Sequence, residues 1–127
     1  MNKLNKKRIS QIIKKLESNF GSFSNKKVGI LGLACKQGTD DVRESPAIKV
    51  IEILKKKKAK ITAYDPLAIE NAKRVLSDVA FAKNSYEVAK DADCLLVLAD
   101  WPEFGKLDYG KIKKLMKVIL FLIVEIF

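Results

Sequence analysis

The stretch Lys27-Val28-Gly29-Ile30-Leu31-Gly32-Leu33, the polar run from Ala34 to Ser45, and Pro46-Ala47-Ile48-Lys49-Val50-Ile51 together decide the fold. The first segment is a short apolar run suited to a strand covered on both faces. The last opens with Ser45 as N-cap and Pro46 at the first helical position, which predicts a helix over 46–57. Ile48, Val50, Ile51 and Leu54 supply its apolar face. A strand that passes through a polar loop into a helix is the opening unit of a parallel α/β sheet.

The same alternation continues downstream. Lys60 to Tyr64 reads as a second strand ended by Asp65-Pro66, followed by a weaker helix from Ala68 to Leu76 and a short strand from Val79 to Ala82. Ser85 to Lys90 makes a helical turn or two. Asp93 to Ala99 (D-C-L-L-V-L-A) is a continuous apolar strand, Tyr109 to Met116 a helix, and Val118 to Val124 a last strand. Upstream, Ile9, Ile12, Ile13, Leu16 and Phe20 recur at steps of three and four, so residues 2–20 form an amphipathic helix with Gly21 as C-cap. Ser22 to Lys26 is the linker-like point. The expected architecture is a three-layer, Rossmann-like α/β parallel sheet with a leading N-terminal helix, organised as a helix over 1–21 and an α/β domain over 26–127.

Composition sets the class. With 127 residues, 48% hydrophobic and 31% charged, the chain has room for one core and is not disordered in character. Neither a signal peptide nor a membrane-spanning helix is legible: Met1 to Lys15 is polar and basic, and the apolar run 118–124 is too short to span a bilayer. A cytoplasmic protein without a membrane partner is expected. Histidine is absent, and Cys35 and Cys94 lack metal-ligand spacing, so two free thiols and no metal site are expected. The net charge of +10 calls for an acidic partner or a solvated surface. Lysine outnumbers arginine in its clusters and no aromatics interleave with them, which favours a phosphate-bearing small molecule over nucleic acid.

In open parallel sheets, ligands bind beyond the carboxyl ends of strands, so the loop after the first strand is the candidate site. It concentrates Lys36, Asp40, Asp41, Arg43, Glu44 and Ser45 around Gly38. Lys36 is suited to meet a phosphate as a point charge, and Arg43 offers a planar donor fork. Asp40 and Asp41 serve either to position a cation or to cap backbone N–H groups. An exposed polar loop ending in an N-cap is the competing reading. A dinucleotide fingerprint is not present, because Gly29-Ile30-Leu31-Gly32 is not G-x-G-x-x-G and Asp65 lies beyond the expected acid position.

The text G-L-A-C-K-Q-G-T-D-D-V-R-E-S-P-A (Gly32 to Ala47) resembles the UDP-binding, C-terminal domain of the UDP-glucose/GDP-mannose dehydrogenase family. Ala63-Tyr64-Asp65-Pro66, Trp101-Pro102-Glu103-Phe104 and Leu107-Asp108-Tyr109 continue the likeness, the last two leaning towards the UDP-glucose branch. The resemblance implies binding of UDP-glucose or UDP within an NAD-dependent oxidation of UDP-glucose to UDP-glucuronate. NAD and the cysteine nucleophile would then belong mainly to an N-terminal portion outside this chain. It implies Lys36 as a substrate contact, Cys35 beside it in place of the family's usual phenylalanine, and Arg43 as the residue that reaches NAD. It identifies residues 2–20 as the end of the family's linking region, and leaves room for a homodimer and for a separate NAD-binding domain as partners. The family carries a D-G-R segment after its last strand, whereas here the sequence runs on as an apolar tail, Val118 to Phe127. The expectation drawn from that tail is a reading-frame slip near Lys117. The alternative function is therefore a truncated, non-catalytic UDP-sugar-binding remnant or module.

Overall fold

A computed structural model describes residues 3–34, 40–43, 45–98, 102–116 and 121–123. Helix α1 (Lys3–Phe20) leads into β1 (Lys27–Leu31), α2 (Pro46–Lys56), β2 (Lys60–Tyr64), α3 (Ile69–Val75) and β3 (Val79–Phe81). Then follow α4 (Ser85–Ala89), β4 (Cys94–Val97), α5 (Pro102–Gly105), α6 (Tyr109–Leu115) and β5 (Phe121–Ile123). The strands form one five-stranded sheet in the order β3-β2-β1-β4-β5, every pairing parallel. This is the three-layer, Rossmann-like arrangement that strand–helix alternation predicts. Of the last predicted strand, positions 121–123 are β5, and 118–120 and 124 lie outside the described residues. One element was not read from the sequence: the four-residue turn α5, too short to show a helical period.

The alternation of side chains along the strands sorts the core into two layers. Val28 and Ile30 of β1, Ile61 and Ala63 of β2, and Cys94 and Leu96 of β4 pack with α1, α2 and α3. Leu31, Leu95 and Val97 face the other way, onto Val88 and Ala89 of α4, Phe104 of α5 and Ile112 of α6. The α1 stripe joins the first layer: Ile9, Ile13 and Leu16 are at most 2% exposed, and burying each stabilises the fold by roughly 1.5–3 kcal/mol. Gly21 closes α1 in the left-handed conformation, φ 79°, with its N–H on the Glu17 carbonyl. The segment 22–26 is also held, since Phe23 is fully buried and the Asn25 N–H donates to the Lys58 carbonyl. Lys57 Nζ then pairs with Glu17 at 2.9 Å, joining α1 to the end of α2.

Cys94 is fully buried, as its place in an apolar strand implies, and burial pushes its thiol up to about 12. Gly29 is required by a close approach. A Cβ there would stand 2.7 Å from Val88 Cγ1, 2.9 Å from Leu95 Cδ1 and 2.9 Å from the Val88 carbonyl oxygen. Helix α4 can therefore lie directly on β1. Among the described residues, no helix is long and apolar enough to cross a membrane.

Candidate functional site

The strand order reverses at β1, whose neighbours are β2 on one side and β4 on the other. The loop after β1 turns to α2 on one face, and the chain after β4 leads to α5 on the other, so a crevice opens between their carboxyl ends. Such crevices are where open α/β sheets bind ligands, and residues 32–34 leave β1 at this switch point.

The root of that loop is built around Asp65, at the carboxyl end of β2 and 2% exposed. Gly32 first turns the chain out of the sheet with φ 101°, a conformation open to glycine at little cost, and its N–H donates to the Tyr64 carbonyl at 2.8 Å. The next two N–H groups, of Leu33 and Ala34, both donate to Asp65 Oδ2, at 2.8 and 3.1 Å. Asp65 Oδ1 accepts from the N–H groups of Leu67 and Ala68 at 2.8 and 2.9 Å, at the entrance to α3. One carboxylate thus satisfies four backbone donors from two loops, which is how a buried charge is accommodated.

Ser45 closes the other end. Its hydroxyl donates to the Leu33 carbonyl at 2.8 Å and accepts from the Ala47 N–H at 3.2 Å, so it caps α2 as expected and also ties the two ends of the loop together. Leu33 is held on both sides, by Asp65 at its N–H and by Ser45 at its carbonyl. Between these anchors the Asp40 carbonyl accepts from Asn71 Nδ2 of α3 at 2.8 Å.

Of the residues singled out in the sequence, Cys35, Lys36, Gly38 and Glu44 lie outside the described residues. Arg43 is described, with its side chain 88% exposed. Its Nε and Nη2 donate to Asp41 Oδ1 and Oδ2, each at 3.1 Å, and its backbone N–H donates to Oδ1 at 2.9 Å. Asp41 therefore does both things open to it in the sequence, positioning a cation and capping a backbone N–H. These hydrogen bonds, side chain first, hold the Asp41 carboxyl below the usual 3.8. On the opposite face, Tyr64 Oη donates to Glu103 Oε2 at 3.3 Å, and its ring meets Phe104 edge-on at 6.5 Å. Burial, and then the Glu103 carboxylate, raise the Tyr64 phenol above its ordinary value, so it stays a donor. Among the described residues, no group of His, Cys, Asp or Glu could hold a metal ion.

The profile of the UDP-glucose/GDP-mannose dehydrogenase family, UDP binding domain, matches residues 29–124, which include the whole loop and both of its anchors. The chain belongs to this family. UDP-glucose 6-dehydrogenase of Rhizobium meliloti (strain 1021) is 40% identical over 100 residues, covering 79% of this chain and 23% of the relative. That of Bacillus subtilis (strain 168) is 38% identical over 114 residues, covering 89% and 25%. The chain thus spans about a quarter of the length of these curated relatives. The solved UDP-glucose dehydrogenase from the hyperthermophilic archaeon Pyrobaculum islandicum matches with a TM-score of 0.80 at 28% identity, over 96% of this chain and 30% of that one.

Within this family domain, the residue that sequence reasoning passed over is Asp65. In the sequence it marks the end of the second strand and falls at the wrong spacing for a ribose-binding acid. Four backbone N–H groups converge on it, and such partners leave no mark on residue identity. The available signal was its neighbour, Pro66, which fixes a turn directly after a strand end.

Proposed function

We propose that this domain holds the nucleotide sugar of a cytoplasmic UDP-glucose 6-dehydrogenase, contributing to the oxidation of UDP-glucose to UDP-glucuronate. The observation that carries the reading is the loop 34–45, anchored at the switch point of a sheet that the UDP-binding family profile matches. Lys36 contacts the substrate as a cation, with Cys35 packed beside it. The +10 charge of the chain favours the dianionic diphosphate. Residues 26–127 are the binding domain, residues 1–21 end the family's linking region, and assembly is as a homodimer.

This reading implies NAD, which accepts hydride when bound. The turn after β1 does not suit its pyrophosphate. The fingerprint glycines are absent, and the Leu33 and Ala34 N–H groups that would face a phosphate already donate to Asp65. NAD therefore belongs to a separate domain, and Arg43 is the group of this chain that reaches it, its fork exchanging Asp41 for the cofactor.

Calorimetric titration of the chain with UDP-glucose, UDP and GDP-mannose tests the reading. UDP-glucose and UDP should saturate the domain, GDP-mannose should bind more weakly, and Lys36→Ala should weaken UDP-glucose about tenfold or more, the worth of a charge-assisted hydrogen bond. Absence of UDP binding, equal affinity for GDP-mannose, or an unchanged affinity after Lys36→Ala would each overturn it.

A further inference from the structure

We propose that the amino edge of the sheet is a polybasic face for an anionic lipid surface, made by Lys26, Lys27, Lys56, Lys58, Lys60 and Lys90. Topology brings these lysines together. Lys27 and Lys60 are register partners at the starts of the adjacent strands β1 and β2, about 5 Å apart. The Lys60 N–H donates to the Lys26 carbonyl at 2.8 Å and the Asn25 N–H to the Lys58 carbonyl at 3.0 Å, which ties the turns into the two strands together. Lys27 Nζ donates to the Lys90 carbonyl at 2.6 Å and so adds the end of α4. Among the described residues none of these lysines has a carboxylate partner. Glu17 is taken by Lys57 and Asp93 by the Lys27 N–H, which leaves Asp78 and Asp91 as the exposed carboxylates at the strand entrances. A nucleotide sugar at the carboxyl ends does not account for this charge, because α2, 11 residues and about 16 Å long, separates Ser45 from Lys56.

Two observations set the kind of partner. Every backbone N–H of residues 25–27, 57–60 and 90–93 already has an internal acceptor. The edge therefore offers no amide nest to a single phosphate and no free strand to a peptide, only ammonium groups on flexible stems. Such groups match a fluid array of anionic headgroups, whereas lysine is depleted from protein–protein interfaces. Phe23, in the turn before β1, is fully buried and cannot stack on a base. The second observation is Lys58 itself, held at φ 68°, in the left-handed region that disfavours a side chain. The turns into β1, β3 and β4 meet the same demand with Asn25, Asp78 and Asp91, which tolerate it. A lysine at this point gives up backbone stability and gains an exposed cation. The expectation of no membrane partner rested on the lack of a spanning segment, which does not bear on a peripheral face of this kind.

The test is co-sedimentation of the full chain with vesicles of phosphatidylcholine, alone or with about one-third phosphatidylserine. The chain should pellet with the anionic vesicles only, and about 0.5 M salt should release it by screening. Lys58→Gly should weaken binding about fivefold, the worth of one lysine near an anionic surface, with a Tm no lower than the parent's because glycine accepts the left-handed turn. Lys56→Gln with Lys60→Gln should weaken it about 25-fold, two lysines' worth. Lys83→Gln with Lys106→Gln removes the same charge from exposed positions that follow β3 and β4. Those positions lie a strand's length from the amino edge, beyond the screening length of about 10 Å at 0.1 M salt, so binding should stay within about twofold. Equal losses from the two double variants would mean that net charge alone binds, and would overturn the face. A Lys58→Gly chain that binds as the parent does, or parent binding that persists at high salt, also overturns it. Binding to a DNA duplex of about 20 base pairs that is lost in the Lys56→Gln, Lys60→Gln variant, with none to anionic vesicles, would replace lipid by nucleic acid and overturn it as well.

Discussion

Replacing Asp65 should cost more stability than any other single change at the loop. The carboxylate accepts four backbone N–H groups, and those of Leu33, Ala34 and Ala68 are buried. Asp65→Ala leaves these three without partners, and each unsatisfied buried donor costs about 1–3 kcal/mol. Water entering the space left by the carboxylate recovers part of that, so the net loss should be about 3–5 kcal/mol. For a chain of this length each kcal/mol moves Tm by about 4 °C, giving a fall of about 12–20 °C. Asp65→Asn keeps one acceptor oxygen, and therefore one pair of bonds, but turns an NH2 group towards the other two donors. Its loss should be smaller, about 2–3 kcal/mol, because only one pair goes unmet. Thermal melts followed by circular dichroism read both variants. If Asp65→Ala melts within about 4 °C of the parent, less than one bond's worth, the four-donor account is wrong. If Asp65→Asn is the worse of the two, the assignment of two donors per oxygen is wrong.

Gly29→Ala should lower Tm by about 4–12 °C, since overpacking costs about 1–3 kcal/mol and one obstructing atom here is the Val88 carbonyl, which moves only with α4; an unchanged melt would mean that α4 rides away from β1 freely. The Asp41 carboxyl should titrate below 3.8 by NMR and return towards that value in Arg43→Ala. The sign follows from the depressed pKa: the stabilising contribution is present above 3.8 and is lost as pH falls through the lower folded value. A midpoint that stays put after Arg43→Ala would show that the pair is not formed in solution.

The fold was legible because its strands are covered on both faces and so read as unbroken apolar runs. Lys60–Tyr64 was read to the residue, and the Ser45 cap and Pro46 start of α2 are where local chemistry requires them. What escaped was short or written in the backbone. The turn α5 is a single turn, and the Asp65 cradle depends on which N–H groups tertiary folding brings to one carboxylate. The candidate site was legible in part. Arg43 and Asp41 stood out as a cation and a carboxylate, but their bidentate pairing follows from the turn that sets them two residues apart with a shared backbone bond. Asn71 could not be found from sequence at all, since an amide on an amphipathic helix usually faces solvent.

The central position of β1 has a kinetic side. It is the first strand of the sheet in chain order, yet only β2 follows it closely; its other neighbour is β4, and the Lys27 N–H to Asp93 contact beside that pairing closes a separation of 66 residues. During synthesis the apolar segment 28–31 therefore leaves the ribosome with one flank bare, and it stays so until Cys94–Val97 has been made. Such non-local closure slows folding and lengthens exposure to wrong partners. The strand order that sets the switch point also leaves the nascent β1 waiting for its second neighbour until β4 has been made.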